Sequence, residues 1–223
     1  MRLSASALLL ADSRTPTGAY AHSSGLEAAI EDGLTAAGVP SFLHGRMCTV
    51  ARVDASLAAA AARLARAGSI GDLLRLDREA EARCASPVVR RSSSVLGRSL
   101  LRTGATLWPL DASLLAYREA SSATPRGVAF GVVANAAGIE PDEASMLVLY
   151  EDAAGVASAA VKLLPVDGAA ASAWVAGLAS EIEAVAAEAA RPTAIEHLPS
   201  ACAPLLDARS LVHDTKEARL FVS

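Results

Sequence analysis

The chain has 223 residues, of which 52% are hydrophobic and 20% charged, with a net charge of −4. That is ample material for a core, enough for one domain of ordinary size or two small ones, and it leaves little case for disorder. An acidic surplus without a basic stripe argues against nucleic-acid binding, and three scattered cysteines (Cys48, Cys84 and Cys202) with no CxxC argue against a disulfide framework.

Aromatics make up only 4% of the chain, and alanine and leucine supply most of the apolar side, a composition that favours helix over strand. Met1 to Ala11 carries one arginine and a short apolar run. The following Asp12-Ser13-Arg14 is a poor cleavage context for a signal peptide. Leu8 to Ala11 could equally pass for a short strand. Ser23 or Ser24 can cap a helix that runs to Gly33. A longer helix is predicted from Ser41 to Ala67, ending at Gly68, with Phe42, Leu43, Met47, Val50, Val53, Leu57, Ala61 and Leu64 at three- and four-residue spacing. Asp72 to Ala82 repeats the pattern. Ser86-Pro87 is an N-cap followed by proline, and Gly104 is read as the end of that helix.

Short helices follow over Asp111 to Ala120 and Arg126 to Ala137. Pro141-Asp142-Glu143 opens a helix that Pro165 stops. Its stretch Ala144 to Leu164 approaches the length of a membrane span, but Glu151, Asp152 and Lys162 are costly in a bilayer. Ala169 to Ala190 reads as one long helix and Cys202 to His213 as a last one, before an irregular tail. No internal repeat is visible, and no alternating pattern long enough for a strand. The expectation is an all-α chain: a single compact bundle of eight to ten helices over residues 1–223, with 209–223 as a tail. It is expected to be reduced and cytoplasmic, with neither membrane nor nucleic acid as partner.

Chemistry-bearing patterns are few. The segment Gly18 to Gly25 lacks the lysine of a phosphate loop, and no GxGxxG occurs. His22-Ser23-Ser24-Gly25 invites a serine hydrolase reading, yet the G-x-S-x-G elbow is absent, and two capping serines after a turn explain the pattern. His44 and Cys48, four apart on a predicted helix, share a face, but two ligands do not make a metal site. A structural histidine and a core cysteine are the favoured reading there, as they are for His197 and Cys202. The basic stretch Arg83 to Arg102 is interleaved with serines and leucines and reads as a solvated helix face. A helical ligand-binding transcriptional regulator is the other class of comparable length. It would need a basic helix-turn-helix near the N-terminus, where only Arg2 and Arg14 are found.

Three separated stretches resemble the UreF family of urease accessory proteins. Leu8 to Glu27 is similar, nearly throughout, to the family's opening run of leucines, Asp-Ser, Pro-x-Gly-aromatic and His-Ser-x-Gly-Leu-Glu. Ala159 to Pro165 resembles its Val-Lys/Arg-Leu-x-Pro helix end, and His213 to Ser223 its His-x-Thr/Gln … Arg-Leu-Phe-x-Ser ending. Two departures stand in the middle. Thr124-Pro125-Arg126 occupies the place of a histidine before Val128-Ala129-Phe130-Gly131, and Val166-Asp167-Gly168 replaces a Gly-Gln pair.

The resemblance implies an all-α protein with no catalytic centre of its own. Such a protein dimerises, pairs with the accessory protein UreD (also called UreH), and recruits the nickel-carrying GTPase UreG to apo-urease, acting as a regulator of that GTPase. No cofactor is implied: nickel is handled by the complex, and this chain alone is not expected to hold it tightly, with no residue assigned as a metal ligand. The partner-binding residues implied are Tyr20, His22, Ser23, Glu27, Lys162, His213, Arg219, Leu220 and Phe221. Pro16 and Gly18 are expected to fix a turn that Tyr20 and Leu26 anchor to the bundle, and Glu27 to offer a charge to a partner. Lys162 either snorkels to solvent or meets an acidic partner group, and the tail either becomes ordered against UreD or packs on its own bundle.

Overall fold

The computed structural model describes residues 4–216, 220 and 221, and among these every regular element is helical. The helices are α1 (Ala5–Ala11), α2 (Leu26–Glu31), α3 (Val39–Cys48), α4 (Val50–Arg66), α5 (Ile70–Ala82), α6 (Pro87–Leu107), α7 (Ala112–Ala120), α8 (Arg126–Ala136), α9 (Pro141–Leu163), α10 (Gly168–Gly177), α11 (Ala179–Ala189) and α12 (Pro204–Asp214). Short 3-10 turns lie at Ala19–Ala21, Ala36–Gly38 and Ile195–His197. The caps are local and chemical. Ser4 Oγ accepts from the Ala7 N–H, Ser86 Oγ from Val89, and Asp111 from Leu114, each satisfying an amide that the first turn cannot pair. Asp167, where the family resemblance calls for a different pair, caps α10 through the Ala170 N–H at 2.7 Å.

The count exceeds eight to ten because two predicted helices are each broken in two. The first break is at Thr49, whose backbone leaves the helical region (φ −126°, ψ −105°) and whose hydroxyl donates back to the Gly45 carbonyl at 2.7 Å. The second is at Leu178. The α1 segment is a helix rather than a strand, and α6 passes through Gly104, which abuts Val133 and Leu114 where a side chain would collide.

The centre of the core is α8 between α4 and α9. From Val128 to Ala134 every α8 residue is buried, so this helix is apolar all round. The run Ala58 to Ala62 on α4 lets the two backbones come close. At Gly131 the approach is closest: a Cβ there would stand 2.1 Å from the Ala58 carbonyl oxygen and 2.7 Å from the Ala61 Cβ. Helix α9 is long and apolar enough to cross a membrane by length and composition, but 56% of its most apolar window is buried inside the fold, against α4, α8, α10 and α11. Its hydrophobicity is that of a core helix.

Candidate functional site

The first of the three resembling stretches is pinned by hydrogen bonds to its neighbours. The Thr15 hydroxyl donates to the Leu9 carbonyl at 2.6 Å, and the Pro16 carbonyl accepts from the Thr103 hydroxyl on α6 at 2.9 Å. These bonds hold the turn, so Tyr20 does not anchor it as expected: its ring is 74% exposed, while Leu26 is fully buried. Ser23 is buried, and its hydroxyl accepts from the Glu27 N–H at 3.3 Å, which is a capping role and not that of an accessible nucleophile. Gly25 takes the N-cap of α2 itself in the left-handed region (φ +83°), where a side chain would be strained. The Ser24 carbonyl accepts from Arg46 at 2.8 Å, which ties the loop to α3.

Glu27, one turn further, is the hub of the site. It is only 7% exposed, and its carboxylate accepts from three donors in the C-terminal stretch. His213 Nε2 lies 3.0 Å away, the Leu220 N–H 2.7 Å and the Phe221 N–H 3.0 Å. Burial alone would raise the Glu27 carboxyl, but the donors from Leu220, His213 and Phe221 outweigh it and hold the group below its ordinary value. His213 and the Phe221 ring are both buried beside it. Lys162, near the end of α9, sits over the Phe221 ring with its ammonium 5.2 Å from the centroid.

The three separated stretches therefore meet at one corner of the molecule. Both charges are used within the chain: Glu27, expected to face a partner, clasps the tail, and Lys162 lies against Phe221. Around the clasp, α12 is fastened by Arg209 to Asp32 and Arg91 to Asp214, each at 2.7 Å, and Lys216 pairs with Glu31. Leu220 is 62% exposed. Arg219 lies outside the described residues.

Beside the clasp a cleft of about 230 Å³ opens, lined among others by His22, Arg46, Cys84, Arg126, Glu151 and His213. Its charged groups come from the middle of the chain. Arg46 binds Asp152 at 2.5 and 2.8 Å, and Arg126 binds Glu151 at 2.7 Å with Asp54 at 4.0 Å. Burial pushes Glu151 up to about 7 against the opposing pull of Arg126, and Asp54 is raised for the same first reason. His22 is lowered, by burial first and then by the positive charge of Arg126. Arg126 thus supplies a fixed cation in the stretch where the resemblance calls for a histidine. None of Arg46, Asp54, Arg126, Glu151 and Asp152 is among the partner-binding residues that the resemblance implies. The available signal was Glu151-Asp152 inside an apolar helix, a pair that must find buried counter-charges. Fixed charges and hydrogen bonds can bind and orient a partner group, and the serine beside His22 is committed to its cap.

Comparisons with known proteins identify the family. The UreF family model matches residues 34–179. Urease accessory protein UreF of Mycolicibacterium vanbaalenii is 37% identical over 225 residues, covering 98% of both chains. The UreF proteins of Mycobacterium marinum and Mycobacterium tuberculosis are 37% and 35% identical, each covering 97% of both chains. Clasp, cleft and helical core are carried by a chain that belongs to the UreF family of urease accessory proteins.

Proposed function

We propose that this chain is a non-enzymatic docking subunit in urease maturation, working in the cytoplasm as a single domain. It pairs with the accessory protein UreD, dimerises, and brings the nickel-carrying GTPase UreG to apo-urease, whose metal centre is the destination of the ion. Nickel is cargo of the assembly, and the GTPase is the member that carries and releases it under this subunit's regulation.

The observation that carries this reading is the clasp at Glu27. It fixes a C-terminal segment that would otherwise fray, with the apolar side chain of Leu220 turned to solvent. On α12 itself Leu205, Leu211 and Val212 are 60%, 47% and 62% exposed. Exposed leucine and valine on a charge-fastened helix are what a partner surface needs: apolar contact on a preorganised frame. Tyr20 on the opening turn is a further aromatic contact of the type enriched in interfaces.

Co-expression with UreD and UreG, followed by sizing chromatography with light scattering, tests the reading. One particle containing all three proteins and two copies of this chain is the expected result. Leu220→Asp and Tyr20→Asp should leave the chain folded but release it from the particle. Elution of the chain alone, with both partners present and folded, would overturn the proposal.

A further inference from the structure

The sequence placed His44 and Cys48 on one helix face and stopped at two ligands. The fold adds a third. Helix α11 packs against α3, and Glu181 in its first turn reaches the pair from the opposite side. His44 Nδ1 is 2.8 Å from Glu181 Oε1, Cys48 Sγ is 3.6 Å from His44 Nε2, and Cys48 Sγ is 3.9 Å from Glu181 Oε1. One donor atom from each residue falls within 4.8 Å of the others.

We propose that His44, Cys48 and Glu181 form a surface site for one divalent first-row transition-metal ion of intermediate softness. The geometry fits. With metal–sulfur bonds of about 2.3 Å and metal–nitrogen and metal–oxygen bonds of about 2.0–2.2 Å, neighbouring donors on a tetrahedral ion lie roughly 3.3–3.7 Å apart. The sulfur–nitrogen separation of 3.6 Å, through Nε2, is already in that range. Glu181, which pairs with Nδ1 at 2.8 Å, turns its carboxylate away from that nitrogen to join the ion, and the sulfur–oxygen separation of 3.9 Å closes by a small side-chain rotation. Imidazole, thiolate and carboxylate together select zinc, cobalt or nickel over magnesium or calcium, which take oxygen donors.

The scaffold is rigid where it matters. The two α3 ligands are one helical turn apart, so their spacing is set by backbone hydrogen bonds. The third comes from a helix that Arg52 on α4 binds through Glu188 at 2.9 Å. The site is open: the His44 side chain is 61% exposed and Cys48 is exposed, so an ion enters directly and a water completes four-coordination. A thiol at the surface of a reduced protein is otherwise a liability, and metal ligation gives Cys48 a role beyond packing. The site lies outside the Glu27 clasp and the cleft, and it stands or falls without UreD or UreG.

Cobalt titration of the reduced full-length chain is the test, because a cobalt–thiolate bond announces itself by a charge-transfer band in the near ultraviolet. One equivalent of cobalt should produce the band, and zinc or nickel should quench it. Cys48→Ser and His44→Ala should abolish it, and Glu181→Gln should weaken the binding by roughly tenfold or more. His44 and Cys48 are exposed and Glu181 is half-buried, none of them in the core, so far-ultraviolet dichroism should stay that of the wild type. The double variant Cys84→Ser/Cys202→Ser should keep the band. No band in the wild-type chain, or a band that survives Cys48→Ser, would overturn the site.

Discussion

Replacing Glu27 by glutamine should open the clasp without disturbing the core. The carboxylate accepts three hydrogen bonds, from His213, Leu220 and Phe221. An amide of the same shape has one oxygen, and whichever way it faces, at least one of the three donors is left opposite an NH2 group or unpaired. Hydrogen bonds to a charged group contribute about 1.5–3 kcal/mol each and neutral ones about 0.5–1.5 kcal/mol, so the gross loss is several kcal/mol. Burying an amide in place of a carboxylate costs less and offsets part of this, which leaves roughly 2–3 kcal/mol. Because 1.4 kcal/mol is tenfold in an equilibrium, the open population should rise roughly 30- to 140-fold.

Amide hydrogen exchange reads that ratio directly. The Leu220 and Phe221 amides should lose protection by that factor, while those of α8, which depend on the core, should not change. Protection at Leu220 and Phe221 within twofold of wild type would refute the argument that Glu27 holds the segment. The same clasp should loosen in acid. The Glu27 carboxyl lies below its ordinary value of 4.5 in the folded chain, so its contribution is complete above that value and is lost as pH falls through the folded pKa.

Tyr117→Phe should destabilise the fold by about 1–3 kcal/mol, because the hydroxyl donates at 2.6 Å to the buried Asp77 and only Ser121 would remain as partner. For a chain of this size that lowers Tm by roughly 2–4 °C per kcal/mol, and an unchanged melting curve would contradict it. Gly131→Ala drives a methyl into the Ala58 carbonyl. It should cost about 1–3 kcal/mol or more by overpacking, seen in denaturant unfolding, whereas a neutral outcome would mean that α4 and α8 separate freely. Glu151→Gln tests the buried charge in the cleft. Its folded pKa of about 7 lies above the ordinary 4.5, so the native state keeps a proton that the unfolded chain releases. That group therefore erodes stability as pH rises from about 4.5 to about 7 and adds no slope above it. The variant should lack this slope, so its Tm should gain on the wild type across that window. A constant difference would argue against the assignment.

Much of the fold was legible in the sequence because helix ends are local chemistry. Ser86-Pro87 and Pro141-Asp142-Glu143 mark helix starts whatever the tertiary context. The break at Thr49 was not legible, since no glycine or proline announces it. It is marked instead by the Thr49 hydroxyl donating to the carbonyl four residues earlier and by a backbone outside the helical region. Gly104 misled for the converse reason: it allows α6 to pass close to Val133 and does not end the helix.

At the site, the residues were legible but their partners were not. Glu27, His213 and Phe221 stood out as residue types in the first and last stretches of resemblance. That they bind one another across 186 to 194 residues of chain is a property of packing alone. The Arg46–Asp152 and Arg126–Glu151 pairs escaped for the same reason. Spacing within one helix is printed in the sequence, and so His44 and Cys48 could be paired there, whereas Glu181 could not be joined to them.

If this chain serves nickel delivery by docking, the nickel content of urease must depend on it. Urease would be co-expressed with UreD and UreG, with and without this chain, purified, and analysed for bound nickel. Near-complete loading is expected with the wild-type chain, and little without it or with Leu220→Asp in its place. Equal nickel content in all three preparations would contradict it.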